Sequence, residues 1–227
     1  TNTRHADLLN VFAQSDPGAG SRGIVSIQVP ASTPGVTRTA PYNLLGGHAM
    51  GVGGFSFDDV DVDAENLLVP AGQGFRAALA GIDIARAVVA AMCCGIMQAA
   101  IDCVMPRLVT RHAFNQPLVE QQGLAWSVAD VATHLQAARL LAQDAARAID
   151  RNTGAAVAAA HAKKFATGVA FDGVTACMQA MGADGLTHEY PLARHLAAAK
   201  IAGYIDGTTE IQNVVITRAL KKAYGAD

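Results

Sequence analysis

The feature that most constrains the fold is a succession of long alanine-rich segments from about residue 70 onward. Apolar residues recur in these segments at helical spacing, and prolines or glycines separate them. The pattern predicts helices over residues 72–105, 119–150, 155–181, 192–204 and 209–222, with breaks marked by Pro106, Pro117, Pro191, Gly182, Gly185 and Gly207. Two of these helices are long for a globular domain, and strict heptads are absent. We therefore expect an antiparallel four-helix-type bundle rather than a coiled coil.

The first 70 residues follow a different pattern. The stretches "GIVSIQVP" (23–30) and "FSFDDVDV" (55–62) alternate apolar and polar residues between glycine, proline and aspartate. This period of two is typical of strands. We predict a mainly α fold with two domains, in which an incomplete β-sheet segment (residues 1–70) precedes a helical-bundle domain (residues 71–227).

Composition excludes several classes of function. The net charge is −2 and lysines and arginines are scattered, so no nucleic-acid partner is expected. No apolar run approaches the ~18 residues that a membrane span needs. The four cysteines and seven histidines show no metal-ligand spacing, so we expect no metal site. Buried, reduced thiols are the simplest interpretation and predict a cytoplasmic protein.

Two polar stretches have structural interpretations. The segment "DPGAG" (16–20) has the composition of a turn between strands, although a glycine-rich phosphate-binding loop is the alternative. The segment "TRHAFNQP" (110–117) is expected to be a polar loop between two long helices.

The break within "GYIDGTTEIQ" (203–212) carries a carboxylate, Asp206, directly before Gly207. One interpretation is a helix N-cap, because the first backbone N–H groups of a helix lack partners and an aspartate supplies an acceptor. The sequence "TEIQ" (209–212) competes for that role, since it has a threonine followed three residues later by glutamine. Local sequence leaves the role of Asp206 open.

Six segments taken in order resemble the C-terminal part of the acyl-CoA dehydrogenase family. They are "TNTRHADLLNVFAQSD" (1–16), "FDDVDVDAENLL" (57–68), "GQGFRAALAGIDIARAVVAA" (72–91), "RHAFNQPLVEQQ" (111–122), "QAMGADGLTHEYPLAR" (179–194) and "YIDGTTEIQNVVITRAL" (204–220). The resemblance implies the second half of a middle β-domain followed by a C-terminal helical domain. It also implies that the family's N-terminal helical domain and first half of the β-domain belong to a longer form of this chain or to another polypeptide.

The resemblance implies a reaction. Members of the family use FAD to form an α,β double bond in an acyl thioester, as part of lipid metabolism. A carboxylate removes the α-proton, and in most members it is the glutamate of a "YEGT" motif; Asp206 stands at that position here. The family's second base location corresponds to Ala85, which has no acid group. The resemblance therefore makes Asp206 the base.

Other site residues follow from the same motifs. The resemblance implies cofactor contacts for Arg111, Phe114, Gln122, Gln179, Gly182, Thr208 and Glu210. It implies a substrate-binding role for Asp83, Arg86, Ile205 and Gly207. The implied partners are an acyl-CoA or acyl-carrier thioester, an electron-transfer flavoprotein or similar acceptor, and further subunits. Because the family shares its flavin sites between subunits, a homotetramer built as a dimer of dimers, or a heteromer, is expected.

Two other functions stay open. One is a flavin oxidase of the nitroalkane-oxidase type, which also has aspartate at the base position. The other is a catalytically silent partner subunit of a heteromeric acyl-CoA dehydrogenase. Flavin bleaching by an acyl-CoA would separate an enzyme from a silent partner, and oxygen consumption without an added acceptor would favour the oxidase.

Overall fold

The computed structural model describes residues 1–225 and divides into two compact units. The first unit comprises Thr1–Ile82, and the second begins at Asp83. Five short strands lie in the first unit: β1 (Leu8–Gln14), β2 (Ile24–Pro30), β3 (Val36–Arg38), β4 (Phe55–Phe57) and β5 (Leu67–Val69). They form an antiparallel β1-β2-β5 sheet and a separate β3-β4 pair.

The β1-β2 hairpin organises the first unit, with register running from Leu8 opposite Pro30 to Gln14 opposite Ile24. A 3₁₀ segment, Pro17–Gly23, connects the two strands. The Asp16 carboxylate accepts a hydrogen bond of 2.9 Å from the Gly18 backbone N–H. This geometry confirms "DPGAG" as a turn between strands.

Strand prediction in this unit was only partly right. Residues 24–30 form β2 as expected, but within 55–62 only β4 is extended, and the chain turns at Asp59 with a φ of 50°. The strand β1 was not predicted. Its sequence, LLNVFAQ, alternates apolar and polar residues only in part, and the strand becomes evident only through its pairing with β2.

Five helices follow: α1 (Gly74–Thr110), α2 (Gln122–Asp150), α3 (Ala155–Met181), α4 (Leu192–Ala202) and α5 (Thr209–Ala223). The mainly α fold class with a preceding β segment is confirmed. The helix α1 begins in the first unit and continues into the second. The predicted domain boundary between residues 70 and 71 stays a prediction, since the compact units divide within α1 at Ile82.

The predicted end of the first helix at Pro106 is wrong, because α1 continues through this proline to Thr110. A proline inside a helix removes one backbone hydrogen bond and strains the preceding turn. On either side of it, Val104 and Leu108 are almost completely buried in the core. We attribute the continuation of the helix to this burial, which offsets the cost of the proline.

The predicted loop at 110–117 contains a small hairpin, in which β6 (His112–Ala113) pairs with β7 (Gln116–Pro117). Its two turn residues, Phe114 and Asn115, have φ values of 54° and 65°. Positive φ at both central residues is the geometry of a two-residue hairpin turn. A phenylalanine gives no sequence signal for this conformation, and the hairpin was therefore missed.

The core of the second unit is built around α3. Its fully buried residues are mostly alanines, and α3 contacts α2, α4 and α5. A Cβ atom added to Gly173 would lie 3.1 Å from a methyl group of Val131 on α2. Small side chains thus let the helices approach closely, which explains the alanine-rich composition.

By length and composition α1 meets the criterion for a helix that could cross a membrane. The core helix of a bundle passes the same test, and Ala90, Cys93 and Met97 on α1 are fully buried. All four cysteines are free thiols, and three of them are buried.

Candidate active site

The break between α4 and α5 has an unusual backbone. Asp206 has a φ of 53° and Gly207 a φ of 92°. The left-handed region is uncommon for residues other than glycine, although aspartate tolerates it better than most. The preceding residue, Ile205, is partly buried and packs against the core. The break is therefore a defined turn anchored on its N-terminal side.

Asp206 does not cap α5. The N-cap residue is Thr208, which has extended backbone and makes no side-chain capping hydrogen bond. The interpretation of Asp206 as an N-cap is thus wrong, because the chain needs two further residues to turn into the helix. The Asp206 carboxylate is left available for another task.

Arg86 of α1 holds the turn through a direct hydrogen bond. Its Nε donates a hydrogen bond of 3.1 Å to the Asp206 backbone oxygen. Its Nη1 donates at 2.9 Å to the carboxylate of Asp83, one helical turn earlier. Arg86 is 5% exposed, so this charged pair is largely removed from water. The structure brings three of the predicted site residues together, with Arg86 bonded to the main chain of Asp206.

Gly207 is required by its surroundings as well as by its backbone conformation. A Cβ atom there would lie 3.3 Å from Arg86 Nη2 and 3.3 Å from Gln212 Nε2. The same Gln212 nitrogen donates to the Gly207 oxygen at 2.9 Å and to the Thr208 oxygen at 3.3 Å. Gln212 is fully buried. Close approach of two polar side chains thus fixes the position of the turn.

Lys163 of α3 is a further member of this cluster, and sequence reasoning missed it. It is 0% exposed, and its Nζ donates a hydrogen bond of 3.3 Å to the Gly203 oxygen. Burial lowers the pKa of Lys163, while the Asp206 carboxylate acts in the opposite direction. The sequence contains a signal, since Ala159, Ala166 and Ala170 lie four, three and seven residues from it and therefore share its face of the helix.

A groove of about 400 Å³ runs past the start of α5. Thr208, Thr209 and Glu210 line it, together with Phe171 and Tyr204 among others. A hydrogen bond from the Thr208 side chain lowers the pKa of Glu210. Free backbone N–H groups at a helix start favour an anion. The Glu210 carboxylate itself accepts from the backbone at this helix start, so the groove combines charged side chains of both signs, Asp172, Glu210 and Lys200, with two aromatic rings.

The remaining predicted cofactor residues lie elsewhere. Arg111 and Phe114 are exposed at the hairpin that follows α1, where Phe114 is 91% exposed, and Gln122 is exposed at the start of α2. Gln179 and Gly182 are also exposed, at the end of α3. The two regions are linked by an ion pair between Arg107 and Asp184. Arg86 and Arg107 are roughly 30 Å apart along α1, at the rise of an α-helix. The predicted site residues thus form two separate groups within one chain.

Comparisons with known proteins identify the family. The family model described as "Acyl-CoA dehydrogenase, C-terminal domain" matches residues 72–221. The chain belongs to the acyl-CoA dehydrogenase family. The mitochondrial short-chain specific acyl-CoA dehydrogenase of Rattus norvegicus is 34% identical over 224 residues, covering 99% of this chain and 54% of the rat protein.

Solved structures agree with this assignment. The structure of butyryl-CoA dehydrogenase from Megasphaera elsdenii superposes with a TM-score of 0.93 at 36% identity, covering 97% of this chain and 57% of the other. A structure from work on the electron transferring flavoprotein of Acidaminococcus fermentans gives a TM-score of 0.93 at 34% identity, covering 97% and 58%. The chain therefore spans a little over half the length of the relatives that it matches.

Proposed function

We propose that this chain is the C-terminal part of an FAD-dependent acyl-CoA dehydrogenase in which Asp206 is the base. The observation that carries the proposal is the conformation of Asp206, which lies on a left-handed turn and has no capping role. Its backbone oxygen accepts a hydrogen bond from a buried arginine that is 120 residues away in sequence. Such over-determined, strained positions concentrate at functional sites. Membership of the acyl-CoA dehydrogenase family indicates the reaction, and the turn provides the carboxylate that would act as its base.

Asp206 would remove the α-proton of an acyl thioester. This proton is weakly acidic, so a positioned base and a polarised thioester carbonyl are both required. Bound FAD supplies the acceptor for the hydride that leaves the β-carbon. In this scheme Arg86 donates a hydrogen bond to the main chain of the turn, and this bond fixes the position from which the Asp206 side chain extends. Asp83 orients and partly neutralises Arg86, and Ile205 and Gly207 shape the surface beside the carboxylate.

The residues present suit a flavin dinucleotide. At the start of α5, Thr208 and Glu210 border a groove that also contains Lys200, whose ammonium group would attract a phosphate. The second group, near the end of α1, offers an exposed guanidinium and exposed amide side chains, contributed by Arg111, Gln122 and Gln179, beside Phe114 and Gly182.

Because the two groups are roughly 30 Å apart along α1, we assign the second group to the cofactor of a neighbouring subunit. This assignment requires self-association or a heteromer, and we propose a dimer of dimers. Large apolar side chains are exposed on α5, and they include Ile211, Val214 and Leu220. Their exposure agrees with a surface that another subunit covers.

The proposed substrate is an acyl-CoA or acyl-carrier thioester, and the proposed electron acceptor is an electron-transfer flavoprotein. The related proteins named short-chain acyl-CoA dehydrogenase and butyryl-CoA dehydrogenase favour a short acyl group. Aspartate in place of glutamate at the base position keeps a flavin oxidase as a second candidate. Oxygen consumption in the absence of another acceptor would favour that candidate.

Asp206→Asn tests the proposed base in the FAD-loaded full-length enzyme. Asparagine keeps the volume and the tolerance for a left-handed backbone but lacks basicity. Flavin reduction by a short-chain acyl-CoA should slow by roughly 10²-fold or more, with the thermal midpoint unchanged. The matched control is Asp130→Asn, which alters an exposed carboxylate on α2. Asp206→Glu should retain activity, and unchanged flavin reduction in Asp206→Asn would refute the assignment.

A further inference from the structure

Lys163 is the largest side chain that is fully buried in the described part of the chain. An ammonium group removed from water is strongly destabilised unless charges and acceptors compensate it. Two ion pairs occur among residues 1–225, Arg86 with Asp83 and Arg107 with Asp184, and neither includes Lys163. A buried lysine without a direct ion pair reduces the free energy of unfolding. Its presence therefore calls for an explanation other than stability.

The hydrogen bond of Lys163 leads to the turn that carries Asp206. Gly203, which accepts it, is the C-cap residue of α4, where backbone oxygens lack helical partners. Further along the same turn, the oxygen of Asp206 accepts from Arg86, and that of Gly207 accepts from Gln212. Side chains from α1, α3 and α5 thus hold the turn at three residues between Gly203 and Gly207. The Lys163 contact fixes the end at which the turn leaves α4.

Charge also couples Lys163 to Asp206. Burial, the largest influence, lowers the pKa of Lys163, and the Asp206 carboxylate raises it. The nearby Cys93 thiol has its pKa raised to about 12 by burial, so it is neutral at physiological pH. Asp206 is therefore the charged acidic group to which Lys163 responds.

We propose that Lys163 is a positioning residue for Asp206. Its hydrogen bond to Gly203 fixes the end of the turn that leaves α4, and with it the position from which the Asp206 side chain extends. This inference rests on the proposed role of Asp206 as the base. A displacement of about 1 Å at a reacting group can reduce a rate by roughly 10²-fold, so a lysine without contact to substrate can control the reaction.

Lys163→Met tests the inference in the FAD-loaded full-length enzyme, since methionine fills similar space without charge or donor. The rate of flavin reduction at saturating acyl-CoA should fall by roughly 10- to 10²-fold, with KM little changed. Lys164→Met is the matched control, because it makes the same substitution one residue along α3 at an exposed position. It should change the rate by less than about twofold. Equal rates for both variants would overturn the inference.

A double-mutant comparison separates this inference from the proposed base. In the Asp206→Asn background, Lys163→Met should have almost no further effect, because the group that it positions is absent. If the rate reductions of the two single variants multiply in the double variant, Lys163 does not act through Asp206 and the inference fails. If Asp206→Asn alone leaves flavin reduction unchanged, the proposed base fails instead.

Hydrogen exchange gives a readout that does not depend on activity. Lys163→Met should accelerate backbone exchange in a peptide covering residues 201–212, and Lys164→Met should not. A merely structural role for Lys163 would instead lower the thermal midpoint while exchange in this peptide and flavin reduction stay unchanged. If Lys163→Met does not fold, Lys163→Gln provides the test, since its donor is one bond closer to the main chain and no longer reaches the Gly203 oxygen. A wild-type rate in a folded Lys163→Gln would equally overturn the inference.

Discussion

The turn after α4 gives a stability prediction that can be worked from the structure. Gly207→Ala places a side chain on a residue with a φ of 92°. Alanine in the left-handed region costs roughly 1–2 kcal/mol. The added Cβ atom would also meet Arg86 Nη2 at 3.3 Å, Gln212 Nε2 at 3.3 Å and Ile211 Cγ2 at 3.4 Å. Two of these neighbours are buried and hydrogen-bonded, so they cannot move aside freely.

The expected cost is the sum of backbone strain and overpacking. Overpacking in a well-filled site costs about 1–3 kcal/mol, which gives roughly 2–5 kcal/mol for Gly207→Ala. Gly154→Ala is the matched control, because Gly154 has a φ of 63° and no atom within 4 Å of the added Cβ. It introduces only the backbone strain and should cost about 1–2 kcal/mol.

Thermal unfolding of the two variants measures the difference. At about 2–4 °C per kcal/mol for a chain of this size, Gly207→Ala should melt at least 2 °C below Gly154→Ala. The slope of urea unfolding should stay constant, showing that stability and not compactness has changed. If Gly207→Ala is as stable as Gly154→Ala, the side chains of Arg86 and Gln212 do not enclose the turn as described.

Two further predictions concern titratable groups. Burial raises the pKa of the Cys93 thiol to about 12, so iodoacetamide at pH 8 should label Cys93 only after unfolding, as mass spectrometry of the modified peptides would show; rapid labelling of the folded protein would contradict its burial. Burial lowers the pKa of His195, so the unfolded chain binds more protons and stability should rise with pH up to about 6.5. His195→Gln should flatten this part of the curve of unfolding free energy against pH, and an unchanged curve would contradict the shift.

Local sequence determined much of the helical framework. The bounds of α3 agree with prediction at both ends, Ala155 and Met181, because glycines with positive φ flank the helix at Gly154 and Gly182. The start of α5 at Thr209 was likewise predicted. Helix boundaries of this kind depend on a few neighbouring residues, and the sequence alone therefore specifies them. The family motifs, which are also local, led to the break that carries Asp206.

The tertiary structure decided the features that depend on residues far apart in the chain. The helix α1 continues through Pro106 because its neighbours are buried, and burial is a property of the packed bundle. Likewise, Lys163 belongs to a residue type that is usually exposed, but it is buried in this fold. Its hydrogen bond to Gly203 joins α3 to the end of α4. The hydrogen bond between Arg86 and Asp206 spans 120 residues, and no local periodicity encodes such a pairing. Sequence thus placed the carboxylate in a break between helices, while only packing of three helices around that break gave it a fixed conformation.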